Sequence, residues 1–286
     1  MPYNIKGDAL MIIDTHTHFY DPTRPEGVPW PNPNDELLYR TVMPDEYKKL
    51  TTPEGVTGTV VVEASRWLED NQWILDLAAD EPFIVGFVGN LNPNDAEFEN
   101  NLNRFADNSL FRGIRLGGGH LQSVGDTGFL ANIEKLAEKE LSLDLLINPD
   151  ALRLVPTLVE HIPSIRVVIN HVAGVRVDGN PPDAAWVSAI EETARYPHVY
   201  CKVSGLVEHT GQTPAPDDIA YYTPTIDVLW EAFGEDRLIY GSNWPVSARF
   251  AEYKVVQKIV DDYFTAKGDE VKEKFFWQNA KAAYQF

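Results

Sequence analysis

Eight short runs of apolar and β-branched residues recur along the chain, and each is followed by a stretch long enough to hold a helix. This alternation is typical of a parallel sheet, because parallel strands need a crossover connection between them. The repeat of roughly thirty residues is one strand and one helix, and eight such units close a (β/α)8 barrel of the TIM type. The predicted strands span residues 11–14, 58–63, 83–89, 111–116, 142–147, 166–170, 199–203 and 238–241.

Several of the intervening stretches have the periodicity of amphipathic helices. They span residues 71–79, 130–139, 152–161, 184–196 and 225–233, and the segment 252–286 is expected to add helices to the outer ring. The chain has 286 residues and so exceeds a typical barrel of about 250 residues. We therefore expect one domain over residues 1–286, with the additional residues in loops.

Two connections are longer than the repeat requires. Residues 19–50 are rich in proline and aromatic side chains, and residues 207–222 hold two further prolines and a tyrosine pair. Loops of a barrel carry the ligand-binding residues, whereas the strands hold those loops in place. The first connection is therefore predicted to be a stiff lid over the barrel mouth.

The formal net charge is −19, from 43 acidic and 24 basic residues. Such a surface repels phosphate backbones and anionic lipid, which argues against nucleic-acid and membrane partners. The apolar run before Asp14 is too short for a signal peptide or a membrane span, so a cytoplasmic location is expected. Cys201 is the only cysteine, lies in a predicted strand and is expected to be a buried apolar side chain.

The segment Asp14-Thr-His-Thr-His18 ends the first predicted strand. Alternate residues on an extended backbone point to the same side, so His16 and His18 can both face the barrel mouth and share one metal ion or substrate oxygen. Two histidines at this spacing also occur as ordinary surface or core residues. Their position at a strand end, before a long lid, favours a functional role.

The sixth predicted strand ends at Asn170 and His171, and the eighth is followed by Ser242, Asn243 and Trp244. Carboxyl ends of barrel strands lie on one face, so His171 and Asn243 are expected near the first-strand histidines, with Trp244 as a substrate contact. Structural alternatives stay open for both. His171 can be a buried histidine that caps a loop, and Asn243 can be a turn amide.

The fourth predicted strand carries Arg112 and Arg115 on opposite faces. Arg115 can offer a planar guanidinium to a carboxylate or to a carbonyl oxygen, whereas Arg112 is expected to pair outside the barrel. The glycine-rich turn that follows lacks the ending of a phosphate loop and brings His120 near the substrate. Glu63, at the end of the second strand, can be a metal ligand, a base or the partner of an arginine, with Arg66 close in sequence.

Six stretches, taken in order, resemble the amidohydrolase superfamily, and more narrowly its branch of sugar-lactone and pyrone-dicarboxylate lactonases. They are IDTHTHFYDP, TGTVVVEAS, FRGIR, VVINHVAG, VYCKVSGL and RLIYGSNWPV, between Ile13 and Val246. The resemblance implies that His16 and His18 bind a metal ion or substrate, that His171 is the strand-six histidine, and that Arg115 contacts the lactone. Likeness alone also points to Lys202 as an inward-facing cation.

Asn243 departs from this family, which has an aspartate there as the base that deprotonates the attacking water. A carboxamide cannot accept a proton at neutral pH. Three explanations stay open: His171 or Glu63 is the base, the reaction does not need one, or catalysis has been lost.

Metal content can be bounded by the same resemblance. The fourth strand has no lysine or carboxylate to bridge two ions, so the resemblance implies one divalent ion or none. Imidazole ligands favour zinc if an ion binds, since zinc prefers nitrogen donors.

The leading hypothesis is hydrolysis of a small lactone, derived from a sugar or a hydroxy acid, by attack of water on the ring ester carbonyl. The alternatives are a decarboxylase-like or other amidohydrolase-type enzyme, and a non-catalytic protein that binds a sugar acid. The expected partner is a small molecule. A homo-oligomer is also open.

Overall fold

The computed structural model describes residues 10–286, so the first nine residues of the predicted domain lie outside the described part. Eight parallel strands form one sheet in sequential order, which confirms the predicted (β/α)8 barrel. The strands are β1 Ile12–Thr17, β2 Val56–Val62, β3 Ile84–Gly89, β4 Phe111–Gly117, β5 Ser142–Leu146, β6 Arg166–Ile169, β7 Val199–Val203 and β8 Leu238–Tyr240.

The first and last strands meet at their carboxyl ends and close the barrel. The amide of His18 donates to the carbonyl of Trp244 over 3.0 Å, and the amide of Asn243 donates to the carbonyl of His16 over 2.9 Å. These bonds continue beyond the end of β8, so the segment after β8 lies against the end of β1. The closure therefore makes Asn243 a neighbour of the two first-strand histidines.

Helices cover the outside of the barrel between successive strands. They are α1 Pro44–Thr51, α2 Leu68–Ala79, α3 Phe98–Ala106, α4 Thr127–Glu138, α5 Pro149–Leu152, α6 Val155–His161, α7 Ala184–Thr193, α8 Ile219–Phe233, α9 Tyr253–Thr265, α10 Asp269–Glu273 and α11 Asn279–Tyr284. A π-helical turn, Lys274–Gln278, joins the last two. None of the described helices is long and apolar enough to cross a bilayer.

The core has two layers, one between the sheet and the helices and one inside the barrel. Inside, Ile13, Val60, Val168 and Ile239 from the strands pack against Tyr284 of α11, which fills the barrel from below. Each buried aliphatic side chain of this kind stabilises the fold by about 1.5–3 kcal/mol. Cys201 is also fully buried, as predicted, in the outer layer.

The predicted strands are all present, but several elements have different bounds. β1 runs to Thr17, three residues beyond its predicted end. The predicted helix 152–161 is shorter, since α6 begins at Val155 with Pro156 in its first turn, and Leu152 is the last residue of α5. α8 begins at Ile219, well before the predicted residue 225, and holds Pro224 within it. α3 was not among the predicted helices.

The long connection after β1 folds back on itself. Tyr20 and Val42, both buried, exchange two backbone hydrogen bonds of 3.0 and 2.8 Å, which fix the base of the loop between them. At its far end the ring of Trp30 stands 5.8 Å from the ring of His18. The predicted lid therefore reaches the barrel mouth with an aromatic side chain. Its last part, Pro44–Thr51, is α1.

Candidate active site

A cavity of about 490 Å³ opens at the carboxyl ends of the strands. Its wall combines side chains from strand ends with side chains from loops. The strand ends contribute His18, Arg115, Leu146, His171 and Asn243, and the loops contribute Pro29, Trp30, Ala64, Arg66 and Val246. The cavity is large enough for a six-carbon ring compound and brings cationic and neutral polar groups to one side of it.

The three predicted histidines converge at this end of the barrel. The ring centroids of His16 and His18 are 5.0 Å apart, and those of His16 and His171 are 4.3 Å apart. His16 is fully buried, while His18 and His171 are 4% and 8% exposed. His16 therefore lies beneath the other two, which form part of the cavity wall.

The proton on His16 is placed by Lys202. Lys202 Nζ donates to the carbonyl of Thr15 and to Asp144 Oδ2, each over 2.8 Å, and lies 3.3 Å from His16 Nδ1. An ammonium group has three protons, so the third is directed at Nδ1. The neutral imidazole must then carry its own proton on Nε2, which is buried with no partner in residues 10–286. His16 thus offers an unpaired N–H donor.

Burial also decides the charge of the histidines. It lowers the pKa of His16 well below the ordinary value, and the neighbouring His171 lowers it further. Burial, aided by Arg115, lowers the pKa of His18 to about 3. The pKa of His171 falls for the same first reason, with a further contribution from His209. All three imidazoles are therefore neutral at pH 7.

His18 has a single possible tautomer. Its Nδ1 lies 2.9 Å from the carbonyl oxygen of Val62, and a carbonyl can only accept. Nδ1 therefore carries the proton, and Nε2 presents a lone pair. His18 is consequently an acceptor at the cavity, whereas His16 is a donor.

His171 is held by the segment that follows β7. Ser204 Oγ accepts from the His171 backbone amide over 3.2 Å and lies 2.9 Å from Nδ1 of the ring. His171 itself has a φ of 51°, in the left-handed region that costs a residue with a Cβ free energy. Gly205 makes room for it, since a Cβ there would lie 2.7 Å from the Cβ of His171. This glycine is thus required by the ring beside it.

Asp14 ties the ends of β1 and β8 together. Its Oδ1 accepts from the amides of His16 and Ser242 over 3.1 and 2.8 Å, and its Oδ2 accepts from the hydroxyls of Tyr47 and Tyr253 over 2.7 and 3.2 Å. Burial raises the pKa of this carboxyl despite these bonds. Asp14 faces away from the cavity, and its role is to fix the backbone that carries the histidines.

Arg115 and Glu63 form an ion pair at the cavity edge. Arg115 Nε donates to Glu63 Oε1 over 2.8 Å, and Nη2 donates to the carbonyl of Glu63 over 2.9 Å. The side chains are only 13% and 12% exposed. Burial raises the pKa of Glu63, and Arg115 partly offsets that rise. Of the three predicted roles for Glu63, pairing with an arginine is the one present, and the partner is Arg115 rather than Arg66.

Asn243 adopts a φ of 59°, which asparagine tolerates better than most residues. Its Nδ2 donates over 2.8 Å to Oε1 of Glu208, in the turn Glu208–Thr210 that follows β7. The other carboxylate oxygen, Oε2, is buried with no partner in the described chain. Burial raises the pKa of Glu208 to about 7. Sequence reasoning missed this carboxylate, because it belongs to no motif.

Two expected substrate contacts lie elsewhere. Trp244 is 2% exposed and packs beneath the lid, with its ring 5.2 Å from that of Tyr47, so it does not line the cavity. Trp30 of the lid is the tryptophan at the cavity wall. His120 starts the short turn His120–Ser123 after β4 and is also absent from the wall.

The side chains at the barrel mouth do not provide a set of ligands that fits a zinc ion. Nε2 of His16 carries a proton, Glu63 is engaged by Arg115, and the strand-eight position offers an amide. Within residues 10–286 no group of three histidine, cysteine or acidic side chains is arranged to hold a metal ion. A zinc site needs three or four such donors at about 2.0–2.3 Å.

Comparison with known proteins places these residues in a family. The amidohydrolase family model matches residues 13–286. The L-fucono-1,5-lactonase of Burkholderia ambifaria is 30% identical over 250 residues, which cover 84% of this chain and 83% of that protein.

Two crystal structures of an amidohydrolase from Burkholderia multivorans have the same fold. The structure with bound HEPES has a TM-score of 0.88 and 24% identity, and the structure with bound zinc has a TM-score of 0.86 and 25% identity. In both cases the match covers 96% of this chain and 99% of the other. The chain described here belongs to the amidohydrolase family.

Proposed function

We propose that this protein hydrolyses a small lactone of a sugar acid, with a six-membered 1,5-lactone as the best-supported substrate class. The observation that carries the proposal is the pairing of opposite hydrogen-bonding roles in one cavity. Arg115 offers a donor, while His18 offers an acceptor, and both line the cavity. The likeness to an L-fucono-1,5-lactonase supports the choice of a cyclic ester.

The Arg115 guanidinium suits the negative charge that develops on the lactone carbonyl oxygen. Arg115 has two of its nitrogens fixed by Glu63, which leaves Nη1 without a partner in residues 10–286. Because the guanidinium is held before the substrate arrives, it needs no reorganisation as the oxyanion forms. The Nε2–H of His16 is buried beneath this wall and is not among the groups that line the cavity.

Nε2 of His18 is the acceptor that suits the attacking water. As the water oxygen bonds to the ring carbonyl carbon, one of its protons passes to Nε2 of neutral His18, and the carbonyl π electrons move to the oxygen. When the ring C–O bond breaks, His18 returns this proton to the departing ring oxygen, giving a hydroxy acid. The new cation is stabilised by its Nδ1–H bond to the Val62 carbonyl. His171 lines the same wall and, in this scheme, positions the lactone.

His18 is preferred to the two residues considered from sequence because of the direction of its lone pair and not because of its basicity, since burial lowers its pKa to about 3. Glu63 is held by Arg115, and His171 Nδ1 faces a serine hydroxyl that can either donate or accept. Only His18 has its lone pair fixed toward the cavity. The decarboxylase-like and non-catalytic alternatives have no comparable observation in their favour. The cytoplasmic location and a homo-oligomeric state stay predictions.

Hydrolysis of at least one six-carbon aldono-1,5-lactone is expected, with kcat/KM on the order of 10⁴ M⁻¹ s⁻¹ or higher. A pH-indicator assay over a panel of such lactones measures the acid released, and product analysis separates ring opening from loss of carbon dioxide. His171→Ala is the control, because it empties part of the wall and should lower the rate. If no lactone in the panel is opened, the proposal is wrong.

Dialysis against a chelator is expected to leave this activity intact, because the donors at the barrel mouth do not fit a metal site. Metal content by mass spectrometry and the rate before and after chelation are the measurements. Addition of zinc should not raise the rate. Loss of activity on chelation, with recovery on adding zinc alone, would show that the histidines rearrange into a metal site.

A further inference from the structure

The Asn243 amide is held by Glu208, a carboxylate outside the six sequence stretches that carry the family resemblance. Asn243 Nδ2 donates to Glu208 Oε1 over 2.8 Å. Glu208 lies in the first turn after β7, while Asn243 follows β8, so the bond spans two neighbouring barrel loops. The second carboxylate oxygen is buried and has no partner in the described chain. A buried carboxylate that has only neutral donors beside it is costly.

The orientation of the amide follows from this bond. Nitrogen and oxygen occupy opposite branches of the carboxamide, so an amide whose Nδ2 points at Glu208 must turn Oδ1 away from it. Asn243 lines the cavity together with His18. The amide oxygen is therefore presented on the cavity side. Without an ionised Glu208 the two amide orientations would compete.

We propose that Glu208 is the positioning residue of this site: it fixes Asn243 so that the amide oxygen and His18 Nε2 together accept the two protons of the attacking water. With both protons held, a lone pair of the water oxygen is free to face the lactone carbonyl. This inference rests on the proposed lactone hydrolysis. It also explains how an asparagine works at a position where a carboxylate oxygen is expected.

The ionisation of Glu208 decides whether the amide is held correctly. As a carboxylate, Glu208 can only accept hydrogen bonds, so it selects the amide orientation in which Asn243 Nδ2 points at Glu208. Once protonated it can donate to Oδ1 and so allow the opposite orientation. The pKa of Glu208 is raised to about 7 by burial. The correctly oriented fraction is thus present above this pH and falls as the pH drops through it.

Few titratable groups face Glu208. Tyr222 of α8 is one of them. Its pKa is raised by burial and, to a smaller extent, by Tyr221 and Glu208. Its hydroxyl donates to the Pro216 carbonyl over 2.6 Å. His209 follows Glu208 in the same turn, and burial lowers its pKa. No lysine or arginine in residues 10–286 hydrogen-bonds with Glu208. The titration is therefore that of one carboxyl group.

The pH profile of kcat/KM tests the inference. The native protein should show a limb that rises with pH and has a midpoint near 7. Glu208→Gln is nearly isosteric and cannot ionise, so this limb should vanish and kcat should fall on the order of 10- to 100-fold through misplacement of the water. Glu252→Gln, at an exposed position, is the matched control and should keep the native profile.

A second experiment exchanges the amide of Asn243 and the carboxylate of Glu208. In the double variant Asn243→Asp with Glu208→Gln the hydrogen bond is retained with its direction reversed, and a carboxylate oxygen faces the water. Activity should recover relative to Glu208→Gln, and the midpoint of the rising limb should move below its native value, because an aspartate now titrates. A merely structural Glu208 would give neither the recovery nor the shift.

The outcomes separate this inference from the proposed function. Native activity together with an unchanged rate and profile in Glu208→Gln would overturn the inference and leave lactone hydrolysis standing. If no lactone is hydrolysed, the proposed function fails. The pairing itself is then read from the side-chain amide NMR signal of Asn243, assigned by its loss in Asn243→Asp. A shift of that signal with a midpoint near pH 7, absent in Glu208→Gln, supports the pairing, and a signal insensitive to pH overturns it.

Discussion

Substitution of Arg115 by lysine is expected to lower kcat/KM for the lactone by on the order of 100-fold or more, the size of effect seen when one oxyanion donor is removed. Arg115 uses Nε and Nη2 to hold Glu63 and keeps Nη1 for the substrate. A lysine has one ammonium group on a flexible stem, so it cannot hold the carboxylate and also place a fixed donor at the carbonyl. Steady-state kinetics measures the change.

The loss should appear mainly in kcat, because the oxyanion exists only in the transition state. Arg112→Lys is the matched control, since it lies on the same strand and its Nη1 donates to the carbonyl of Gln285, away from the cavity. That variant should keep the native kcat. A change confined to KM in Arg115→Lys would instead assign Arg115 to ground-state binding.

Replacement of Lys202 by methionine is expected to lower the free energy of unfolding by about 3–5 kcal/mol. Lys202 and Asp144 are both fully buried, with Nζ and Oδ2 at 2.8 Å. Burial lowers the pKa of Lys202, and Asp144 opposes that shift. Methionine fills a similar volume but leaves the Asp144 charge without a cation in the interior. Denaturant and thermal unfolding, followed by circular dichroism, measure the loss.

Two further variants test whether the lost stability comes from the unpaired charge of Asp144. Removing both partners in Lys202→Met with Asp144→Leu should recover part of the stability, because no unpaired charge is left. Lys254→Met removes an exposed ion pair and should leave the unfolding midpoint unchanged. Native stability in Lys202→Met would show that Asp144 is already neutral in the folded protein.

The barrel could be predicted from sequence because buried parallel strands read as apolar runs. β1 shows where this signal stops. The apolar run ends at Asp14, yet the strand continues to Thr17, because the polar side chains find partners inside the barrel. Thr15 donates to the Tyr240 carbonyl, and Thr17 pairs with Thr59 over 2.8 Å. These partners are remote in sequence, so no local sequence pattern predicts them.

The site could be predicted in part. The histidines lie at strand ends, and barrel topology alone brings strand ends together. Lys202 and Asp144 left a usable signal, since each is a charged residue within an otherwise apolar strand. Glu208 left none. Its position depends on the turn that begins at Gly205, which has a φ of 67°, and on the backbone path after β8 that brings Asn243 to it.

The wall of the cavity and its floor are built from different parts of the chain. Trp30, Ala64 and Val246 come from loops and are only partly buried, so exchanging these side chains removes little from the folded core. The reacting groups stand below them on strand ends braced by Asp14 and Lys202. Ring size and substituent preference are therefore open to redesign through a small library at three loop positions, with the catalytic architecture left in place.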